Sequence, residues 1–323
     1  MMNEERKPIL SVCPENYPGT TSVLKHYNAT GFVEHGIEIA PSTVENRKLI
    51  ILGGWAKLYY EALRKIKTTG TPVALFWTSS VGQTDFSNGG IEVSYLHILN
   101  DMIASGLVDY ILCATPSVQN MFQQFIPEEK VIYLPYAFDW EESQKYQIDD
   151  MPVGDDWVDL FCPGDTRKNI LVQSHGAKIA GVRLHYSGLH NKYRFFADLI
   201  KLKYTDMGWM DKTRYYKAIQ TMKAGMQVTY AETFDYVVAE HFAMKRPCLI
   251  STVMGSWVDK KLWKDLMVYN IDDPYEVADV LTLIVKRDES EWKDLNIECY
   301  NFMKKEAERR NEIAKKVLGD LIA

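Results

Sequence analysis

Short apolar runs alternate with segments of helical spacing along this chain, and the alternation is played through twice with an acidic break between. In the first half, Pro8 to Cys13, Leu49 to Leu52, Pro72 to Trp77, Val108 to Cys113 and Lys130 to Leu134 read as strands. Helical segments from about Thr20, over Trp55 to Lys67, Glu92 to Ala104 and Pro116 to Phe125 separate them. Runs too short and too uniformly apolar for a half-solvated strand, joined by helices, specify βαβ units and a mostly parallel sheet.

Residues 139–156 (DWEESQKYQIDDMPVGDD) lack apolar periodicity and read as the joint. The pattern then restarts. Trp157 to Cys162 and Val182 to Tyr186 read as strands, Asp211 to Lys223 as a helix, and the run around Met226 and Val228 as a strand. A helix over Tyr236 to Met244, apolar Cys248 to Ile250, a strand over Leu266 to Asn270 and helices over Pro274 to Lys286 and Glu291 to Leu321 follow. The expected architecture is α/β, with two Rossmann-like domains whose parallel sheets face across a cleft. Their bounds are 1–150 and 151–305, with 306–323 a terminal helix crossing back to the first domain. That terminal stretch is basic and amphipathic, but Glu306, Glu308 and Glu312 interrupt its basic face, which favours a domain-spanning helix over a membrane-surface one.

Composition narrows the function classes. Of 323 residues 46% are hydrophobic, enough for two cores, yet no run of 18 apolar residues occurs, so no transmembrane helix is expected. Five scattered cysteines without CxxC, and a charged start without a signal-peptide pattern, fit a cytoplasmic protein. The net charge of −6 is uneven: residues 1–150 hold 11 Lys and Arg against 18 Asp and Glu, the remainder 26 against 25. An acidic first half argues against a polyanion docking there.

Two places carry candidate chemistry. Glu232 lies in the turn after the strand around Met226, and Glu240 in the first turns of the next helix, where two carboxylates can accept hydrogen bonds from sugar or ribose hydroxyls. The loop of residues 163–169 lies between a strand and a helix; Gly164 permits close backbone approach, and Arg167 and Lys168 add fixed charge, a set suited to a diphosphate. It is neither GxxxxGK[ST] nor GxGxxG. In the first half, Tyr17-Pro18-Gly19-Thr20-Thr21 follows the first strand with small residues, and the long loop of residues 81–90 has the character of an acceptor-side lid. The seven histidines form no HExxH or Cys/His cluster, so no metal site is expected.

In this order these residues resemble the retaining glycosyltransferases of family 4. The resemblance rests on Phe161-Cys162-Pro163-Gly164 followed by Arg167-Lys168-Asn169, on the strand from Leu184 that ends at Gly188, and on Glu232-Thr-Phe-Asp-Tyr-Val-Val-Ala-Glu240…Pro247, matching the family's E-x7-E signature. The stretch VDYILCATPSVQNMFQQFIPEEKVIYLPYAFD looks like the end of that family's first domain. The resemblance implies a GT-B fold and sugar transfer from a nucleotide-diphosphate donor to an acceptor hydroxyl, with retention and without a metal or other cofactor. It implies that Lys168 and Arg167 neutralise the leaving diphosphate and that Glu232 meets the transferred sugar. Glu240 would meet the ribose, and Gly19, Thr20, Gly164, Ser187, Gly188, Phe234, Asp235 and Tyr236 would line the donor pocket. The acceptor, whether glycan, small molecule or modified DNA, is not implied, nor is the oligomeric state. Asp235 and Lys245 stand where the family usually has glycine. Two rival readings share the fold: a phage-type transferase acting on modified DNA bases, and a catalytically silent nucleotide- or glycan-binding module. Under the leading reading, Lys168→Ala and Glu232→Ala each cut transfer strongly without unfolding the protein.

Overall fold

The computed structural model describes residues 9–12, 47–53, 60–80, 83, 92–148, 151–161 and 166–323. The chain forms two compact units, one of residues 1–138 with 309–323 and one of residues 139–308.

In the first unit the described strands are β1 (Ile9–Val12), β2 (Leu49–Gly53), β3 (Val73–Trp77), β4 (Tyr110–Cys113) and β5 (Val131–Tyr133), all parallel and adjacent in chain order. Ile50 pairs with Val73, Ala74 with Tyr110 and Ile111 with Val131. β2 is buried along its whole length, as a parallel strand covered on both faces must be. The helices are α1 (Tyr60–Lys67), α2 (Glu92–Ala104) and α3 (Pro116–Phe122). Helix α3 starts where the sequence says it should: the Thr115 hydroxyl accepts from the Val118 amide at 3.3 Å, and Pro116 occupies the first turn.

The second unit opens with α4 (Trp140–Gln144), inside the segment read as a joint. Trp140 is buried with its ring 4.9 Å from that of Tyr300, and Gln147 donates to the Ala243 carbonyl at 3.0 Å, so this acidic stretch packs on the unit that follows it. The remaining elements are β6 (Trp157–Phe161), α5 (Ile170–Ala180), β7 (Arg183–Ser187), α6 (Asn191–Leu199), β8 (Tyr204–Gly208), α7 (Lys212–Thr221) and β9 (Ala224–Gln227). After them come α8 (Tyr236–Ala243), β10 (Cys248–Ser251), α9 (Lys260–Leu266), β11 (Met267–Val268), α10 (Pro274–Val285) and α11 (Glu289–Ile322). The sheet order is β11-β10-β9-β6-β7-β8, every pair parallel. The chain therefore builds outward from β6 through β7 to β8, then returns to the other side of β6 at β9. The reversal opens a crevice at the carboxyl ends of β6 and β9, where ligands of open α/β sheets bind. Gly176 lets α5 and α10 approach: a Cβ there would lie 2.5 Å from Cγ1 of Val277. Helix α11 has 34 residues, and Arg309 to Ala323 of the chain belong with the first unit, where Arg310 donates to the Tyr136 carbonyl at 3.3 Å. No described helix is long and apolar enough to cross a membrane.

Candidate functional site

Both predicted loops reach the strand-order reversal of the second sheet. The segment after β6 ends in a single 3-10 turn, Thr166–Lys168, and the segment after β9 carries Glu232 and ends at Asp235, where α8 begins. Lys168 is 5% exposed. Its Nζ lies against Glu232 Oε1, 3.2 Å from Asp235 Oδ2 and 3.1 Å from Gln227 Oε1. Arg167 pairs with the same Glu232 oxygen and donates to the Ala231 carbonyl at 3.1 Å. The two loops are also tied through backbone, Tyr230 N donating to Arg167 O at 2.8 Å. Two cations and two carboxylates are thus gathered in a buried, charge-balanced cluster.

Burial opposes the charge on Lys168, but the carboxylates of Asp235 and Glu232 overcome it and hold the ammonium above its ordinary value. Burial pushes the Glu232 carboxyl up, with Lys168 and Arg167 pulling against it. A network paired this tightly fixes its members in place, because any one left alone would be an uncompensated buried charge.

Asp235, which the resemblance would have as glycine, has a capping role here. Its Oδ1 accepts from the Val237 amide at 2.9 Å and its Oδ2 takes Lys168, so it closes the N-terminus of α8 and anchors the lysine at once. Asp139, Asp211, Asp259 and Asp273 cap α4, α7, α9 and α10 in the same manner. Lys245, the other departure, has φ 54°, the left-handed conformation that glycine adopts freely and lysine reluctantly.

The other expected donor-site residues are distributed around this cluster. Ser187, the last residue of β7, is buried and its Oγ donates to Asp159 Oδ1 at 2.8 Å. Gly188 follows with φ 77°, and a Cβ there would come 3.1 Å from the indole of Trp209. Phe234 is buried between Tyr236 and Trp257, with ring centroids 5.0 and 4.8 Å away. Glu240, on α8, is 3.5 Å from the Tyr216 hydroxyl, and burial together with the charge of Asp235 raises its carboxyl to about 8. Tyr146 stacks on Tyr216 at 5.0 Å, and the Lys212 ammonium lies over both rings. Gly19, Thr20 and Gly164 lie outside the described residues, as does nearly all of the loop of residues 81–90.

Beneath the crevice, Asp159 in β6 is desolvated and raised to about 7. His241 Nε2 is 3.6 Å from its Oδ2, while His241 Nδ1 bonds the Val237 carbonyl at 2.7 Å. Gly225 makes room for that imidazole: a Cβ would lie 2.4 Å from His241 Nε2.

Sequence reading missed four contributors. Gln227 is the last residue of β9; its Oε1 accepts from Lys168, and its buried Nε2 has no hydrogen-bond partner among the described residues. Gln173 of α5 donates to the Lys168 carbonyl at 2.7 Å and accepts from the Val228 amide at 2.8 Å, stitching the two loops together. Trp209, 70% exposed after β8, and Tyr216 complete the rim. The glutamines gave no signal beyond their place at the end of an apolar run. Trp209 gave none either, because the strand it follows, β8, is not marked in the sequence. Among the described residues, no three or more His, Cys, Asp or Glu side chains are grouped to hold a metal ion.

No family model matches the chain, and no curated protein matches it. Solved structures do. Anabaena HepE in complex with UDP and glucose matches 97% of this chain and 98% of its own, with a TM-score of 0.69 and 11% identity. A UDP-forming alpha,alpha-trehalose-phosphate synthase from Burkholderia vietnamiensis matches over 98% and 99%, with a TM-score of 0.67 and 10% identity. A variant of S. aureus TarM in complex with fondaparinux, alpha-GlcNAc-glycerol and UDP matches 85% of this chain at a TM-score of 0.63 and 12% identity. The present chain spans only 55% of that TarM chain. At such identities the likeness is one of architecture, and what this chain shares with all three is the GT-B fold.

Proposed function

We propose that this chain is a metal-independent, retaining glycosyltransferase that moves a sugar from a nucleoside-diphosphate donor to an acceptor hydroxyl. The observation that carries the reading is the meeting of Arg167 and Lys168 with Glu232 at the strand-order reversal of the second sheet. Similar folds with UDP bound, HepE and TarM, support the donor class.

The chemistry follows from the charges. As the bond between the sugar's anomeric carbon and the diphosphate breaks, negative charge grows on the leaving oxygens. Lys168 is already oriented by Asp235 and Gln227, so it meets that charge without reorganising. Arg167, with its side chain 16% exposed, adds its charge toward the phosphates from its place beside Glu232, and the Glu232 carboxylate accepts from the sugar hydroxyls. The Gln227 amide supplies a further donor. Glu240 accepts from the ribose diol, and the open face of Trp209 beside Gly188 stacks on the base. The acceptor oxygen attacks from the face the diphosphate leaves, its proton passing to a diphosphate oxygen. Cys113, Cys248 and Cys299 are buried free thiols, which suits a reducing cytoplasm.

Calorimetric titration of the full chain with UDP, GDP, ADP and TDP tests the reading. One of them binds, and its sugar conjugate is consumed by wild type but not by Glu232→Gln. A protein that binds none of the four, or a Glu232→Gln variant that turns over at the wild-type rate, would refute it.

A further inference from the structure

One edge of the second unit carries a basic surplus. From Lys178 to Met210 there are six Lys and Arg against two Asp and Glu, a surplus of four, while the whole chain carries −6, so the rest carries a deficit of ten. These residues are the end of α5, then β7, α6 and β8, and β8 is the terminal strand of its sheet.

That edge also exposes apolar side chains that the core does not claim. On α6, Tyr193 and Ala197 are buried, while Phe195 is 73% and Leu199 66% exposed on the opposite face, one turn apart. Lys192 shares that outward face at helical spacing. Ile179, 39% exposed, ends α5 alongside, and the Lys178 ammonium reaches the Lys201 carbonyl at 2.8 Å. Lys201 and Lys203 are exposed just beyond the helix. Lys201 has φ 53° at the helix exit, where glycine would be unstrained, so a charge is kept there against backbone preference.

We propose that the α6–β8 edge is a membrane-contact face that seats Phe195 and Leu199 at the headgroup boundary of an anionic bilayer. An outward apolar pair flanked by Lys192, Lys201 and Lys203, with the neighbouring Asp198 engaged by the Tyr204 hydroxyl at 2.8 Å, is the pattern of a helix lying in that interface, and charge complementarity selects anionic lipid. Of the outward apolar side chains Phe195 alone has a π-face on which a base could stack, while Leu199 and Ile179 have none, which favours lipid over nucleic acid. The remaining surface, net acidic, is repelled by the same lipids and so fixes which edge faces them.

Co-sedimentation of the full chain with vesicles of phosphatidylcholine alone, or mixed with phosphatidylglycerol, tests this. Binding appears only with phosphatidylglycerol and fades with added salt. The F195S/L199S variant binds about tenfold more weakly, and Lys201→Glu and Lys203→Glu each weaken it about fivefold. All three variants keep the wild-type circular dichroism and nucleoside-diphosphate binding. Wild type that ignores phosphatidylglycerol vesicles, or variants that partition like wild type, would overturn the assignment. So would a duplex-DNA gel shift lost in the charge reversals but kept in F195S/L199S. None of these outcomes depends on sugar transfer, so the face and the donor site stand or fall separately.

Discussion

Both sheets are parallel, and their two units are filled differently. In the first unit the described core is apolar, with Leu10, Ile50, Leu52, Leu75, Ile111 and Phe122 among its fully buried members. Its described buried polar side chains are Ser11, Thr71, Thr115 and Arg310. The second unit buries Asp159, Lys168, Asp235, His241 and Arg246, besides several glutamines and serines. One sheet is stabilised by the removal of apolar surface from water, which any well-shaped side chain can supply. The other holds charges that are tolerable only in one mutual arrangement. The contrast locates where substitutions act on folding and where they act on chemistry.

The hardest test of that contrast is Lys168→Met. Loss of the ammonium leaves Asp235 and Glu232 buried without it, so a stability loss of about 3–5 kcal/mol should accompany loss of transfer. Chemical denaturation reads the first and donor turnover the second. Lys168→Ala carries the same penalty, which revises the expectation from sequence that it would spare the fold. A Lys168→Met protein as stable as wild type would show that the cluster is not coupled. In the first unit, Leu52→Ala should cost about 2–5 kcal/mol by denaturation and leave nucleotide affinity unchanged in the protein that remains folded. A weakened affinity would mean that packing in the first unit reaches the donor site.

Trp209→Ala reverses the pattern: an exposed ring contributes little to stability, but loss of a base platform should weaken nucleoside-diphosphate binding by about 1–3 kcal/mol, read by calorimetry. Unchanged affinity would remove Trp209 from the site. The smallest effect is one of pH. Glu240 and Asp159 have folded values raised to about 8 and about 7. Their protonated forms therefore stabilise the fold fully below the ordinary carboxylate range, and that contribution is lost as pH climbs towards those values. His241 is lowered to about 4 from 6.5, so its contribution is complete above 6.5 and is lost only below it. Between pH 6.5 and 8 the carboxyl groups act alone, and the melting temperature should fall. Glu240→Gln should flatten that fall, and an identical slope in wild type and variant would contradict it.

How much of this was legible follows from what each residue contributes to burial. The core strands and the helix from Tyr236 were readable because their apolar spacing is their structural reason. β8 and α6 were not: an edge strand reading Tyr-Thr-Asp-Met-Gly has little to bury, and α6 turns Phe195 and Leu199 outward, which breaks the period. At the site, Arg167, Lys168 and Glu232 were readable from their order along the chain. Asp235 looked like an obstacle because a resemblance compares residue types, whereas its cap and its lysine contact exist only once α8 and the loop after β6 have converged. Gln173 and Gln227 were silent for the same reason, since an amide's role depends wholly on which neighbours the register delivers.

The first unit is discontinuous: it is completed by residues 309–323, after the whole of the second unit has been traversed. Its gene segment is therefore not one piece. A recombination event that exchanges the front of the gene alone replaces most of the first unit and leaves its last helical turns behind, mismatched to a new partner. Exchange of the first unit between related proteins needs two crossovers, one near residue 138 and one near residue 309, whereas residues 139–308 move as a single cassette. The same map tells an engineer that a truncation or tag at the carboxyl end perturbs the unit that begins at the amino end.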